Sequence, residues 1–130
     1  MNHAEDALQI AVAEFLRVAL RDDECLFYSV PNGGKRSKIE AARLKKMGLR
    51  AGVPDLAFVL PGGRAGFIEL KAGKGRLSKA QDETADFVTG IGARWGVARS
   101  VEGVEWVLRE WRVPLHASVL PRSEIARAAE

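Results

Sequence analysis

A glutamate and a lysine stand two residues apart inside the hydrophobic run GFIELKA, residues 66–72. Side chains alternate between the two faces of a strand, so Glu69 and Lys71 should project together while their neighbours pack on the other side. Asp55 begins the preceding strand-like run, directly after Pro54. Pairing of the two runs as a hairpin therefore predicts a second carboxylate across from Glu69.

Three ionisable groups that converge in this way could do hydrolytic chemistry. Asp55, Glu69, the carbonyl oxygen of Leu70 and water form the oxygen-rich environment that Mg²⁺ or Mn²⁺ prefers. Such an ion polarises a phosphoryl oxygen and lowers the pKa of a bound water. Lys71 can orient or help deprotonate that water and balance negative charge in the transition state. The pattern indicates phosphodiester hydrolysis, although a Glu and a Lys on an exposed strand face are also common surface decoration.

The flanking sequence predicts the elements that would position these residues. We distinguish an opening amphipathic helix, a basic segment, a hairpin, and a closing strand and helix. The basic segment is either a short helix or an ordered loop. The predicted helices cover residues 4–20, 78–88 and 100–113, and the predicted strands cover 25–30, 56–60, 66–72 and 93–100. The order α-β-β-β-α-β-α predicts an α/β sandwich.

Two polar residues fall on the apolar stripe of the opening helix. At about 100° per residue, Glu5 and Gln9 lie among apolar residues, whereas Glu14 points the opposite way. A carboxylate and an amide on a buried face cost free energy unless they are paired or bound to something. Glu5 has a simpler alternative, because a carboxylate in the first turn favours the helix dipole near a fraying end.

Positive charge is concentrated in one segment. Residues 31–50 contain seven Lys or Arg and only one Glu, a net charge of +6, whereas the first 30 residues carry −4. Clustered positive charge suits a phosphate backbone. A solvated loop rich in Lys and Arg explains the same charge equally well.

Composition limits the classes of protein to consider. A chain of 130 residues with 47% hydrophobic content is the size of one globular domain. We expect that domain at residues 1–118, followed by a tail or short helix at 119–130. One cysteine and two separate histidines exclude a disulfide framework and a structural zinc. No apolar stretch approaches the roughly 20 residues that span a bilayer, and a signal-peptide pattern is missing, so we expect a cytoplasmic protein without a membrane partner or small-molecule cofactor.

The spacing of these motifs is similar to that of a known family. Pro54-Asp55 followed by Glu69-Leu70-Lys71 matches the P-D…(D/E)-x-K pattern and resembles the PD-(D/E)xK nuclease superfamily. The likeness is closer still to one branch, the virus-type replication-repair nuclease (VRR-NUC) domain. The likeness extends over nearly the whole chain. The motifs that carry it are specific together but not singly: Glu5 and Gln9, PNGG with Arg36, RLKKMG, AGVPDL, FIELK, GRLSKAQ and VARSVEGVEWVL.

The resemblance implies a restriction-endonuclease-like core, a small mixed sheet flanked by helices, and a metal-dependent active centre. It places Glu5, Asp55, Glu69 and Lys71 at that centre, with Glu5 as a further metal contact, directly or through water. Gln81 falls at the family's glutamine position. The candidate contacts to backbone phosphates are Lys35, Arg36, Lys38, Lys45, Lys46, Lys74 and Arg76.

Gln81 has a second interpretation, because it completes an S-x-x-Q capping box that starts at Ser78. Ordinary helix capping explains the glutamine without any function. Both interpretations stay open from the sequence.

Single-domain relatives that resemble this chain are homodimers that cut branched DNA such as Holliday junctions. The resemblance therefore implies branched DNA as the partner, a homodimer, and a bacterial, phage or prophage origin. We expect the dimer interface on the last helix, at Val104 and Trp111, or on the following VPLHASVL. The alternatives are a less selective or restriction-type nuclease module, and a non-catalytic DNA-binding module whose carboxylates serve only structure.

Overall fold

The computed structural model describes residues 3–31 and 36–128, which form helices on both sides of a four-stranded sheet. A short 3₁₀ turn at Pro61–Gly63 joins the second strand to the third. In chain order the elements are α1 (His3–Ala19), β1 (Leu26–Ser29), α2 (Lys38–Lys46), β2 (Leu56–Val59), β3 (Ala65–Leu70), α3 (Lys79–Gly90), β4 (Arg94–Ala98), α4 (Val101–Glu110) and α5 (Arg122–Ala128).

The sheet is mixed. Its strand order is β1-β2-β3-β4, in which the first two pairs are antiparallel and β3 and β4 are parallel. Helix α3 makes the crossover that a parallel pair requires. The α/β class and the small mixed sheet flanked by helices are confirmed, and the predicted hairpin is β2–β3. Residues 38–46 of the basic segment form a helix, α2, and α5 covers residues 122–128 of the terminal segment.

One face of the sheet carries the hydrophobic core. Alternate residues of β2 and β3 point to this face, where they meet the apolar stripes of α1 and α4. The fully buried side chains at this contact include Val12, Leu16, Leu56, Ile68, Val104 and Leu108. The opposite face is covered by α3 in part, so Leu26, Tyr28 and Val59 stay exposed there. Within the described residues, none of the helices is both long and apolar enough to cross a membrane.

The structure corrects the expected interface on α4. Val104 is 0% exposed and belongs to the core, so it cannot form a dimer surface. Trp111 packs its ring edge against Phe58, with 5.9 Å between ring centroids. The sequence pattern showed an apolar stripe on α4 but not that the stripe faces the sheet.

A buried carboxylate holds the segment that follows α4. Glu105 is 0% exposed, and its oxygens accept hydrogen bonds from Ser118 Oγ at 2.6 Å, the Val119 amide at 2.6 Å and Arg109 Nε at 2.8 Å. Burial alone raises the pKa of Glu105, but these three hydrogen bonds outweigh it and hold the pKa below the ordinary value of 4.5. The domain boundary near residue 118 stays a prediction.

Candidate active site

The β2–β3 hairpin brings two carboxylates side by side. Leu56 pairs with Ile68, so Asp55, one residue before β2, lies opposite Glu69. Asp55 Oδ2 accepts a hydrogen bond from the Leu70 amide at 2.8 Å. Pro54 is buried just before it. These contacts fix the Asp55 carboxylate at the end of β3, next to Glu69.

Glu69 is the more buried of the two carboxylates. Its residue is 3% exposed, and its Oε1 accepts a hydrogen bond from Gln81 Nε2 at 3.0 Å. Its Oε2 is buried without a hydrogen-bond partner in the described part of the chain. The pKa of Glu69 is raised from 4.5 to about 9, chiefly by burial, then by Asp55 and more weakly by Glu5, while the charge of Lys71 opposes the rise.

The first turn of α3 holds Glu69 through Gln81. Ser78 is the N-cap residue, and its Oγ accepts from the Gln81 amide at 3.1 Å. The Gln81 side chain in turn accepts from the Ser78 amide at 2.9 Å through Oε1. Its Nε2 is left to donate to Glu69. Gln81 therefore completes the capping box and contacts the carboxylate at the same time.

All five residues predicted for the active centre line one cavity of about 290 Å³. We call it the Glu69 cavity; its walls come from α1, the end of β1, the β2–β3 hairpin and α3. The lining residues are Glu5, Gln9, Ser29, Val30, Pro31, Asp55, Glu69, Leu70, Lys71 and Gln81. The geometry brings these predicted residues together, and their catalytic roles stay predictions.

Sequence reasoning missed the contribution of β1 to this cavity. Ser29, Val30 and Pro31 line it because β1 runs antiparallel to β2, with Ser29 paired to Leu56. The Val30 amide donates to the Asp55 carbonyl oxygen at 2.9 Å. The sequence marked this segment as a strand end and as the start of the PNGG motif, but not as part of the cavity, since that signal lies in a pairing between distant segments.

The carboxylate pair has the chemistry of a cation site. Asp55 and Glu69 are adjacent, and Glu69 has a raised pKa and a buried oxygen without a hydrogen-bond partner among the described residues. A bound divalent cation would stabilise the ionised form of both carboxylates and contact that oxygen. Asp55, Glu69 and the Leu70 carbonyl could hold such an ion. Residues 3–31 and 36–128 contain no group of three or more Asp, Glu, His or Cys side chains gathered as metal ligands. Water would therefore complete the coordination.

The predicted phosphate-contacting residues that the structure describes do not line this cavity. Lys38, Lys45 and Lys46 are exposed on α2, a helix without a buried residue. Arg36 is partly buried before α2, and Lys74 and Arg76 are exposed between β3 and α3. Lys35 lies outside the described residues.

Two further arginines belong to the same basic region, and the sequence analysis did not single them out. Arg43 is exposed on α2, and Arg50 stacks over the Phe87 ring at 5.6 Å from its centroid. Both lie in the segment whose net charge drew attention in the sequence. The chain leaves the Glu69 cavity at Pro31 and returns to it at Asp55, so the basic segment is attached to its rim at both ends.

Comparisons with known proteins agree with this geometry. The family model described as VRR-NUC domain matches residues 5–102. A solved structure described as a VRR_NUC domain protein shares the fold with a TM-score of 0.66 and 24% sequence identity. The likeness covers 83% of this chain and 87% of that chain. A search of curated proteins gave no significant match.

Proposed function

This chain belongs to the VRR-NUC family, whose domains are nuclease modules, and we propose that it is a divalent-metal-dependent DNA endonuclease. The observation that carries the proposal is the Glu69 cavity. In it, two carboxylates, a lysine and a glutamine from separate elements converge, and Glu69 Oε2 lacks a partner among the described residues.

The ion in this proposal is Mg²⁺ or Mn²⁺. Asp55, Glu69 and the carbonyl oxygen of Leu70 would hold it, with Glu5 reaching it through water. When bound, the ion supplies polarisation of the scissile phosphate and acidification of a water molecule. The buried carboxylate oxygen supports this assignment, because an ionised Glu69 needs a positive partner in this environment.

The remaining residues of the cavity position the reacting groups. Lys71 lines the same cavity as Glu69, so its ammonium can hold the attacking water or balance charge on the phosphate. Gln81 fixes the Glu69 carboxylate through its side-chain amide. Lys71 directly follows β3 and Gln81 lies in the first turn of α3, and both line the Glu69 cavity.

The basic region would bind the backbone of the nucleic acid. Helix α2 carries four Lys or Arg and one Glu, and none of its side chains is buried in the fold. A helix with little contact to its own domain and a surplus of positive charge suits a polyanionic partner. Its contacts would position DNA without reading the base sequence.

We further propose that the substrate is branched DNA, such as a Holliday junction, and that the protein acts as a homodimer. A symmetric dimer would offer two active sites, one for each strand that must be cut. This part rests on family resemblance. A less selective or restriction-type nuclease would instead cut linear duplex as fast as a junction.

One experiment tests the proposal as a whole. Purified protein with Mg²⁺ or Mn²⁺ is incubated with single-stranded, duplex, flap and four-way substrates, and its solution mass is measured in parallel. Fast cutting of the four-way substrate by a protein of dimer mass is the expected result. Equal cutting of every substrate would contradict the selectivity for branched DNA. No cutting with either ion would contradict the proposal that the protein is an enzyme.

A non-catalytic DNA-binding module is the second candidate. It draws support from the lack of a three-residue cluster of acidic, His or Cys ligands in residues 3–31 and 36–128. Titration of metal into the protein by calorimetry separates the two. A binding signal that Asp55→Asn and Glu69→Gln remove favours the enzyme, and no such signal favours the binding module.

A further inference from the structure

A second, larger cavity adjoins the Glu69 cavity along α1 and β1. This α1/β1 cleft has a volume of about 650 Å³, within the range of roughly 300–1,000 Å³ that is usual for ligand pockets. Its lining residues are Asp6, Gln9, Ile10, Ala13, Arg17, Asp22, Phe27, Tyr28, Ser29 and Leu56. Gln9 and Ser29 line both cavities, so the two spaces are neighbours with a shared wall.

The helix geometry of α1 explains why Gln9 lies at the boundary. One face of α1 lines the cleft at intervals of four, three and four residues, with Asp6, Ile10, Ala13 and Arg17. Glu5 lies on the side that faces the Glu69 cavity. Gln9 is one turn after both Glu5 and Asp6, and its side chain therefore reaches either space.

Three polar side chains at this boundary have no hydrogen-bond partner among residues 3–31 and 36–128. Asp6 Oδ1 is buried without a hydrogen-bond partner among the described residues. The side chains of Gln9 and Ser29 form no hydrogen bond with another described residue, whereas Gln81 across the cavity forms two side-chain bonds. Gln9 and Ser29 can reach water, but Asp6 Oδ1 is shielded from it and needs a partner that a ligand can supply.

The chemistry of the cleft favours a nucleobase over a phosphate. Two carboxylates, Asp6 and Asp22, face one guanidinium, Arg17, so the charge disfavours an anion. Phe27 lies on the face of β1 that faces the cleft, where it is partly buried, and its aromatic ring can contact a base. Asp6 Oδ1 is an acceptor that matches an exocyclic amino group, as carboxylates do when they read cytosine.

We propose that the α1/β1 cleft is a subsite for one unpaired base of the substrate strand, with an amino-bearing base preferred at Asp6. The proposal rests on the proposed nuclease function. The base lies next to the scissile phosphate, because Gln9 and Ser29 belong to both cavities. A base can enter only when it is unstacked, which costs less at a branch or in a single strand than in a duplex. The cleft thus selects substrates with unpaired nucleotides.

Binding of short fluorescent single strands tests the subsite. Oligo-dC, oligo-dT and an abasic strand of equal length are titrated with protein in EDTA, so that metal-dependent cutting stops. Wild-type protein is expected to bind oligo-dC about tenfold more tightly than oligo-dT, and oligo-dT more tightly than the abasic strand. Asp6→Asn should abolish the preference for oligo-dC, since an amide can also donate to thymine. Phe27→Leu keeps an apolar side chain but removes the ring, so it should weaken both base-bearing strands and leave the abasic strand unchanged.

Glu14→Gln is the matched control, because Glu14 is exposed on α1 and lines neither cavity. It should behave as wild type. Equal affinity of wild type for oligo-dC and the abasic strand overturns the subsite, as does an unchanged preference in Asp6→Asn or binding to none of the strands.

A separate cleavage assay distinguishes failure of the subsite from failure of the nuclease function. Cutting of junctions by a protein that shows no base preference contradicts the subsite alone. A base preference in a protein that never cuts supports the subsite and contradicts the nuclease function.

Discussion

Gln81 Nε2 donates to Glu69 Oε1 at 3.0 Å, so the first turn of α3 holds the most buried carboxylate of the cavity. The same side chain accepts from the Ser78 amide through Oε1 at 2.9 Å. One residue therefore serves both the helix cap and the cavity. The two contacts use different atoms, and substitutions can separate them.

Ser78→Ala and Gln81→Glu are expected to affect different properties, the first stability and the second cleavage. Ser78→Ala removes the cap hydroxyl and should lower the free energy of unfolding by about 1 kcal/mol with little change in cleavage rate. Gln81→Glu keeps the acceptor for the Ser78 amide but cannot donate to Glu69, so cleavage should fall at least about tenfold. Urea denaturation and single-turnover cleavage measure the two quantities. A Gln81→Glu protein that cuts at the wild-type rate would show that this contact has no role in catalysis.

The pKa of Glu69 predicts how the stability of the metal-free protein depends on pH. Folded Glu69 keeps its proton up to about pH 9, whereas the unfolded chain releases it near 4.5. Between these values the folded state binds more protons, so the contribution of Glu69 to stability falls as pH rises. The melting temperature in EDTA should show this fall, and Glu69→Gln should flatten it.

Metal binding should show the opposite trend with pH. A cation at Asp55 and Glu69 displaces the proton, so its affinity should rise as pH rises towards 9. Calorimetry in two buffers of different ionisation enthalpy counts the protons released. A metal affinity that is constant over this range would contradict the ionisation of Glu69 on binding.

Gly52 allows the segment after α2 to contact the start of α3. A Cβ atom at Gly52, where φ is +80°, would lie 2.4 Å from the Ala80 carbonyl oxygen. Gly52→Ala should therefore displace Ala80 and, with it, the neighbouring Gln81. This displacement should lower both the free energy of unfolding and the cleavage rate. Gly48→Ala is the control, because Gly48 has a φ of +105° but no atom within 4 Å of its Cβ position. It should lose about 1–3 kcal/mol of stability from backbone strain and keep its cleavage rate. Equal losses in both variants would argue against the close contact.

Glu105 is expected to stabilise the fold without a role in cleavage. Glu105→Ala leaves Arg109, Ser118 and the Val119 amide without their shared acceptor, so the free energy of unfolding should fall by about 3 kcal/mol. Cleavage below the melting temperature should be unchanged, because Glu105 does not line the Glu69 cavity. Glu102→Ala, an exposed position on the same helix, should change stability little. Loss of cleavage in folded Glu105→Ala would contradict this division.

The sequence predicted the hairpin and the meeting of its charged residues because the rules involved are local. Strand alternation sets the face of Glu69 and Lys71, and Pro54 marks where the preceding strand begins. The sequence left the role of Gln81 open, because this glutamine completes a capping box with Ser78 and also falls at the family's glutamine position. The structure shows that one side chain can do both.

Other features depend on contacts between distant segments, which no local pattern encodes. Ser29 reaches the Glu69 cavity through the pairing of β1 with β2, and Glu105 meets Val119 fourteen residues later in the chain. Val104 was wrongly expected at a dimer interface, because an amphipathic stripe predicts burial but not the surface that buries it.

The central claim is that Asp55 and Glu69 form a metal-dependent hydrolytic centre. The most direct test compares cleavage of a labelled four-way substrate by wild type, Asp55→Asn, Glu69→Gln and the exposed control Asp82→Asn, with Mg²⁺ or with EDTA. We predict that wild type and Asp82→Asn cut only with the ion. The two site variants should be at least about 100-fold slower while still binding the substrate. Undiminished cutting in EDTA, or by Asp55→Asn or Glu69→Gln, would contradict the account.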